Sequence, residues 1–259
     1  MSDGLSVRIA LFGVCVVIVV ALVVWFVWRK KKREEQARIT ELTAFADSVG
    51  GSVQDRRAGA RPWSAEFTRA MASEYGTFFR WLGRQSEGRF DYALDFSRGR
   101  WRVRISEASL ENATSSSTRT AQETRVEVAT TDLVTLKIIR RRHAGSHSQE
   151  RGWAAEVPVT VSAERDPLWM EIRLPASVDH AFVAFTSDLP EAARVLNHGF
   201  LALLLDEVQL RTLTFEAGIV HTTLDGPIFP RLALETTDLM VALLERVPGL
   251  EPRDPKTAA

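Results

Sequence analysis

The sequence predicts an α+β protein: an N-terminal transmembrane helix, then a soluble domain of antiparallel sheet with packed helices. Three observations predict it. An uncharged apolar run near the N-terminus is followed at once by a block of cations. The apolar period changes from helical to two near residue 90. Helical spacing then returns on both sides of a hairpin close to the C-terminus.

Residues 9–28, IALFGVCVVIVVALVVWFVW, carry no charge over 20 positions. At ~1.5 Å per residue they reach roughly 30 Å, the depth of a bilayer's hydrocarbon core. Trp25, Phe26 and Trp28 gather at the far end, where aromatic rings favour the interface. Arg29, Lys30, Lys31, Lys32 and Arg33 follow, whereas only Arg8 and Asp3 precede the run. The positive-inside rule then puts the N-terminus outside and the bulk of the chain in the cytoplasm. A cleaved signal peptide would need the basic residues before the run and small residues after it. Cys15, the single cysteine, lies within the run, so the rest of the chain cannot form an internal disulfide.

Glu34 to Val49 reads as a stalk helix that continues the span and docks on the domain, with Ile39, Leu42, Phe45, Ala46 and Val49 on one face and Gly50-Gly51 as its stop. A second helix is expected from Trp63 to Tyr75 behind Pro62. Phe90, Tyr92, Leu94 and Phe96 then alternate with polar or small residues. Trp101, Val103 and Ile105 alternate with Arg100, Arg102 and Arg104, and Ser97-Arg98-Gly99 makes the turn between them. Asn112 to Thr118 reads as a loop tip. Strands are expected at 123–131, 133–141, 157–161, 168–174 and 180–186. Asp188, Pro190 and Glu191 form a helix start, and that helix runs to Leu205. A hairpin turns at Glu216-Ala217-Gly218, and a last helix covers Pro230 to Val247.

The expected organisation is a short extracytoplasmic N-terminus (1–8), the span (9–28), a basic flank and stalk (29–50), a first α+β half (51–142), a loop (143–151), a second half (152–249) and a disordered tail (250–259). Each half would hold a helix and a hairpin.

The stretch LTAFADSVGG, the strands FDYALDF and TRVEVATTDL, and FVAFTSDLPEAARVLNHGFLALLLDE, then a hairpin, then LMVALLERVP resemble a bacterial, actinobacterial-type family of single-span membrane proteins. The resemblance implies an N-terminal anchor and a cytoplasmic α+β domain of unknown function. It implies no activity and no functional residues.

Formal net charge is zero, so no overall field draws in nucleic acid, and no nucleic-acid partner is expected. There is no nucleophile elbow, no S-x-x-K and no phosphate-binding glycine loop. His143 and His147 flank Gly145 and Ser146 in a loop without a third ligand. No metal or cofactor is expected, and catalysis is not expected. The first reading of function is a membrane-tethered cytoplasmic module that binds a protein partner. The alternative is an anionic lipid or phosphate surface. Its contacts would be Arg29, Lys30, Lys31, Lys32 and Arg33 beside the span, and Arg98, Arg100, Arg102 and Arg104 along one strand face. A solvated face neutralised by Asp91, Asp95, Glu107, Glu123 and Glu127 is the favoured reading of those strand arginines. A third reading, an enzyme, requires several of Asp179, His180, His198, His221 and Asp225 to meet in one pocket.

Overall fold

The computed structural model describes residues 3–56, 59–66, 89–114, 117–141, 170–206 and 210–254, with side chains from Ile18 onward apart from 66 and 110–121. The chain forms two compact units, residues 1–45 and 46–259.

The first unit is almost all of α1, Asp3–Ser48, a helix of 46 residues without a break. At ~1.5 Å per residue it is about 69 Å long, so the expected span and stalk are one rod. Residues 9–17 of that span lie outside the described side chains. Among the described residues no helix is long and apolar enough to cross a membrane. From Ile18 to Trp28 the large apolar side chains are nonetheless all exposed, from 49% at Trp25 to 66% at Phe26.

The last turn of α1 belongs to the second unit and ends where the sequence put its stop. Gly50 takes the left-handed conformation at φ 67°, and the Gly51 amide donates to the Ala46 carbonyl at 2.8 Å. Gly51 has a second reason to lack a side chain: a Cβ there would sit 2.6 Å from the Asp95 carbonyl oxygen.

Among the described residues, nine strands form one antiparallel sheet. They are β1 (Ser52–Asp55), β2 (Arg89–Arg98), β3 (Trp101–Thr114), β4 (Ser117–Ala129), β5 (Leu136–Arg140), β6 (Met170–Ile172), β7 (Phe182–Thr186), β8 (Thr212–Glu216) and β9 (Ile219–Asp225), in the spatial order β1-β2-β3-β4-β9-β8-β5-β7-β6. The period-two segments became β2 and β3 in the register the pattern requires, with Phe96 opposite Val103 and Leu94 opposite Ile105. β3 and β4 run further than expected and take in most of the polar stretch 112–118. The β8–β9 turn needs φ above zero at both central residues, Ala217 at 49° and Gly218 at 73°. A Cβ on Gly218 would also meet the Thr130 carbonyl oxygen at 2.8 Å.

Among the described residues, four helices accompany the sheet: α2 (Ala176–Asp179), α3 (Leu189–Val195), α4 (His198–Asp206) and α5 (Pro230–Leu244). Ala233, Thr236, Thr237, Met240, Leu243 and Leu244 make the buried stripe with which α5 packs across β2, β3 and β4. The Asp188 carboxylate caps α3 by accepting from the Glu191 amide at 3.2 Å.

Four expectations change. The helix expected from 188 to 205 is two helices, broken at Leu196, whose ψ of 39° leaves the helical region. Asn197 restarts it, accepting from the Phe200 amide at 3.1 Å and donating to the Arg246 carbonyl at 2.8 Å. The helix at 63–75 starts as a 3₁₀ turn at Trp63–Glu66, and the remainder lies outside the described residues. The tail does not fray at once: Pro252 bridges Thr130, and the Thr131 amide donates to the Glu251 carbonyl at 2.8 Å. Finally, β5 of the first expected half lies between β8 and β7 of the second, and residues 46–259 form one unit. The loop 143–151 and the strand at 157–161 lie outside the described residues.

Candidate functional site

A single cross-strand row carries most of the polar chemistry of the sheet. Asp95 on β2 faces Arg104 on β3, which faces Glu127 on β4, which faces His221 on β9. His221 faces Thr214 on β8, and Thr214 faces Lys137 on β5. Directly opposed residues of an antiparallel pair point to the same face, so these six share one face. The opposite face holds Val103, Ile105, Val126 and Val128, all buried. Both faces of β4 are therefore covered, and every residue from Glu123 to Thr130 is buried.

The segment 59–66 covers the polar face of β4. The Glu127 carboxylate accepts from the amides of Trp63 at 2.7 Å and Ser64 at 2.8 Å, and from the Ser64 hydroxyl at 2.5 Å. Arg125, in the next row, donates to Ser64 Oγ at 2.8 Å and to Glu123 at 3.1 Å. Arg104 holds both oxygens of Asp95, at 2.7 and 2.6 Å, and donates to the Arg61 carbonyl at 2.6 Å. Its guanidinium lies 5.1 Å from the centre of the Trp63 ring. This is a clamp: charges on three strands hold one turn of distant chain.

Burial raises the Glu127 carboxyl above its ordinary range, against the pull of Arg125 and of the donors at Ser64 and Trp63. Burial also lowers His221 well below the usual imidazole range, and the positive charges of Arg125 and Lys137 act the same way. Among the described residues neither ring nitrogen of His221 has a hydrogen-bond partner. The imidazole is thus a neutral group in a tight polar layer. No sequence motif marked this row. Its signals were the alternation of Asp95, Arg104, Arg125 and Glu127 with apolar neighbours along their strands, which equally describes a wet face.

The other residues singled out in the sequence are dispersed. Arg98 opposes Trp101 and so lies on the α5 side, where it holds Asp238 at 2.5 and 2.8 Å. Arg100 is in the turn and pairs with Glu251 at 2.9 Å. Arg102 donates to Ser97 at 3.2 Å on the same face as Arg104. The four do not line one face. Asp179 pairs with Arg141, and Asp225 with Arg211. His180 and His198 are exposed, and His221 is buried. α2 leads into β7, three strands from β9, so roughly 14 Å of sheet separates Asp179 and His180 from Asp225. His143 and His147 lie outside the described residues. Among those described, no group of three or more His, Cys, Asp or Glu residues could hold a metal ion.

On α1 the five cations are in a different state. Lys30 lies 3.8 Å from Glu34. The Arg29 guanidinium lies 5.0 Å from the centre of the Trp25 ring, and the Lys32 ammonium 5.2 Å from that of Trp28.

No protein-family model matches this chain, and no curated protein matches it. Among solved structures it is similar to the crystal structure of the mycobacterial trehalose monomycolate transport factor A, at 10% sequence identity and a TM-score of 0.42 over 82% of this chain and 95% of that one. A likeness so distant carries no argument about role.

Proposed function

We propose that this chain is a membrane-anchored binding module of the bacterial type that its sequence resembles. Residues 9–28 cross the bilayer, the N-terminus lies outside, and residues 46–259 form a cytoplasmic unit that engages a protein partner. One observation carries the anchor. Ile18 to Trp28 leave their large apolar side chains about half exposed or more, on a helix that continues straight into five cations. Water would penalise that surface by roughly 25 cal/mol per Å² of apolar area, and lipid would not. The preference for binding over catalysis is supported by where the polar groups go. The charges of the central row are spent on holding residues 59–66. Tethering adds effective concentration to any second contact made by the folded unit.

Alkaline carbonate extraction of membranes tests the anchor: the chain should stay in the pellet. Protease treatment of intact spheroplasts tests the orientation, since an epitope after residue 254 should survive and one before residue 3 should be lost. Release by carbonate, or digestion of the C-terminal epitope in intact cells, overturns the reading. Crosslinking in mild detergent should then recover a stoichiometric protein partner, and its repeated absence counts against the binding role.

A further inference from the structure

We propose that Trp25, Trp28, Arg29 and Lys32 form a binding stripe for the phosphate of an anionic phospholipid headgroup. The proposal rests on the anchored reading above and names what the anchor selects. These positions stand at i, i+3, i+4 and i+7, so they share one face of α1. The two rings are exposed, Trp25 at 49% and Trp28 at 58%. Each carries one cation over its face, at 5.0 and 5.2 Å.

Three physical points single out this stripe from the rest of the collar. Lys30 already has Glu34, and Lys31 and Arg33 stand at the two edges of the stripe, where neither lies over an indole ring among the described residues. Arg29 and Lys32, among the described residues, make cation–π contacts and no ion pair. They stand three positions apart, about 4.5 Å along the axis, a gap that one phosphate group spans. Indole rings settle where hydrocarbon meets headgroup. A cation held over such a ring is therefore presented at phosphate depth, and its long side chain has less freedom left to lose. Guanidinium adds the fork that matches two phosphate oxygens.

The test uses the full chain in lipid nanodiscs. Spin-labelled phosphatidylglycerol and phosphatidylcholine report which lipid is held next to the protein. Phosphatidylglycerol should be enriched roughly fivefold over phosphatidylcholine, the share expected from about 1 kcal/mol of attraction. The double variant Arg29→Gln/Lys32→Gln should lose that enrichment, and Lys31→Gln/Arg33→Gln should keep most of it. Millimolar inorganic phosphate should not displace the lipid. Equal loss in both double variants overturns the stripe in favour of a diffuse charge effect, and displacement by free phosphate overturns the lipid as ligand. Failure of the chain to enter either bilayer would defeat the anchor itself. Stable insertion without enrichment would defeat only this proposal.

Discussion

The arginines of β2 to β4 and the cations of residues 29–33 are the same chemistry in opposite company. Arg98, Arg100, Arg104 and Arg125 each meet a carboxylate. In the collar, Lys30 has Glu34, while Arg29 and Lys32 rest on indole rings. Counting basic residues would rank the two regions alike. Counting their partners makes the sheet a place where charge is consumed by the fold, and the collar a place where charge is left to act outside it.

The largest effect that could break this contrast is at Glu127. Glu127→Ala leaves the amides of Trp63 and Ser64 without their acceptor and takes one of two nearby carboxylates from buried Arg125, which keeps Glu123. Losing one side of a buried charged network costs about 3–5 kcal/mol. Urea denaturation of the detergent-solubilised chain should show it as a lower midpoint. A loss below about 1 kcal/mol, the scale of an exposed pair, would mean the row is not a clamp.

His221 comes next, and its effect depends on pH. Its folded pKa lies below its unfolded value. The unfolded chain therefore binds the proton more readily, and stability falls as pH drops below about 6.5, by at most about 1.4 kcal/mol per pH unit. Glu127 works the other way, because its folded pKa is raised: its contribution is largest at low pH and fades as pH rises past about 4.5. The raw profile mixes the two. The difference between the wild type and His221→Leu isolates the histidine: the curves should run parallel above pH 7 and separate below 6.5, the variant losing less. Parallel curves throughout would place His221 in contact with water.

Smaller still is Arg98→Ala. Its pair with Asp238 is bidentate but nearly half exposed, 45% and 44%. Screening by water holds the loss to about 0.2–1 kcal/mol, and it should shrink further in 0.5 M salt. The smallest expected effect closes the comparison. Arg29→Gln/Lys32→Gln should shift the denaturation midpoint of the folded unit by no more than about 0.5 kcal/mol, as surface changes away from special features do. A larger shift would mean the collar is part of the fold after all.

Local rules made much of the fold legible. Period two gave β2 and β3 with their turn, and Asp188 with Glu191 marked the start of α3. The limits fall where distant chain decides. Leu196 continues an apolar stripe, so nothing nearby announces a break; the bond from Asn197 to the Arg246 carbonyl, 49 residues on, helps to fix it. The polar row was hidden for the same reason. Arg125 and Glu127 alternate as a solvated face would, and only the chain at 59–66 turns that face into an interior. The tail's hold on Thr130 and Thr131 is likewise a long-range pairing.

The placement of β9 beside β4 sets a timetable for synthesis. β4 is complete at Ala129, but its neighbour begins only at Ile219. At about 5–20 residues per second a ribosome takes several seconds to make the chain between them. Throughout that interval the hydrogen-bonding margin of β4 stands open to any other extended segment, the condition under which strands mispair. A nascent chain arrested between residues 140 and 210 should therefore engage a chaperone that one arrested well past 254 has already shed.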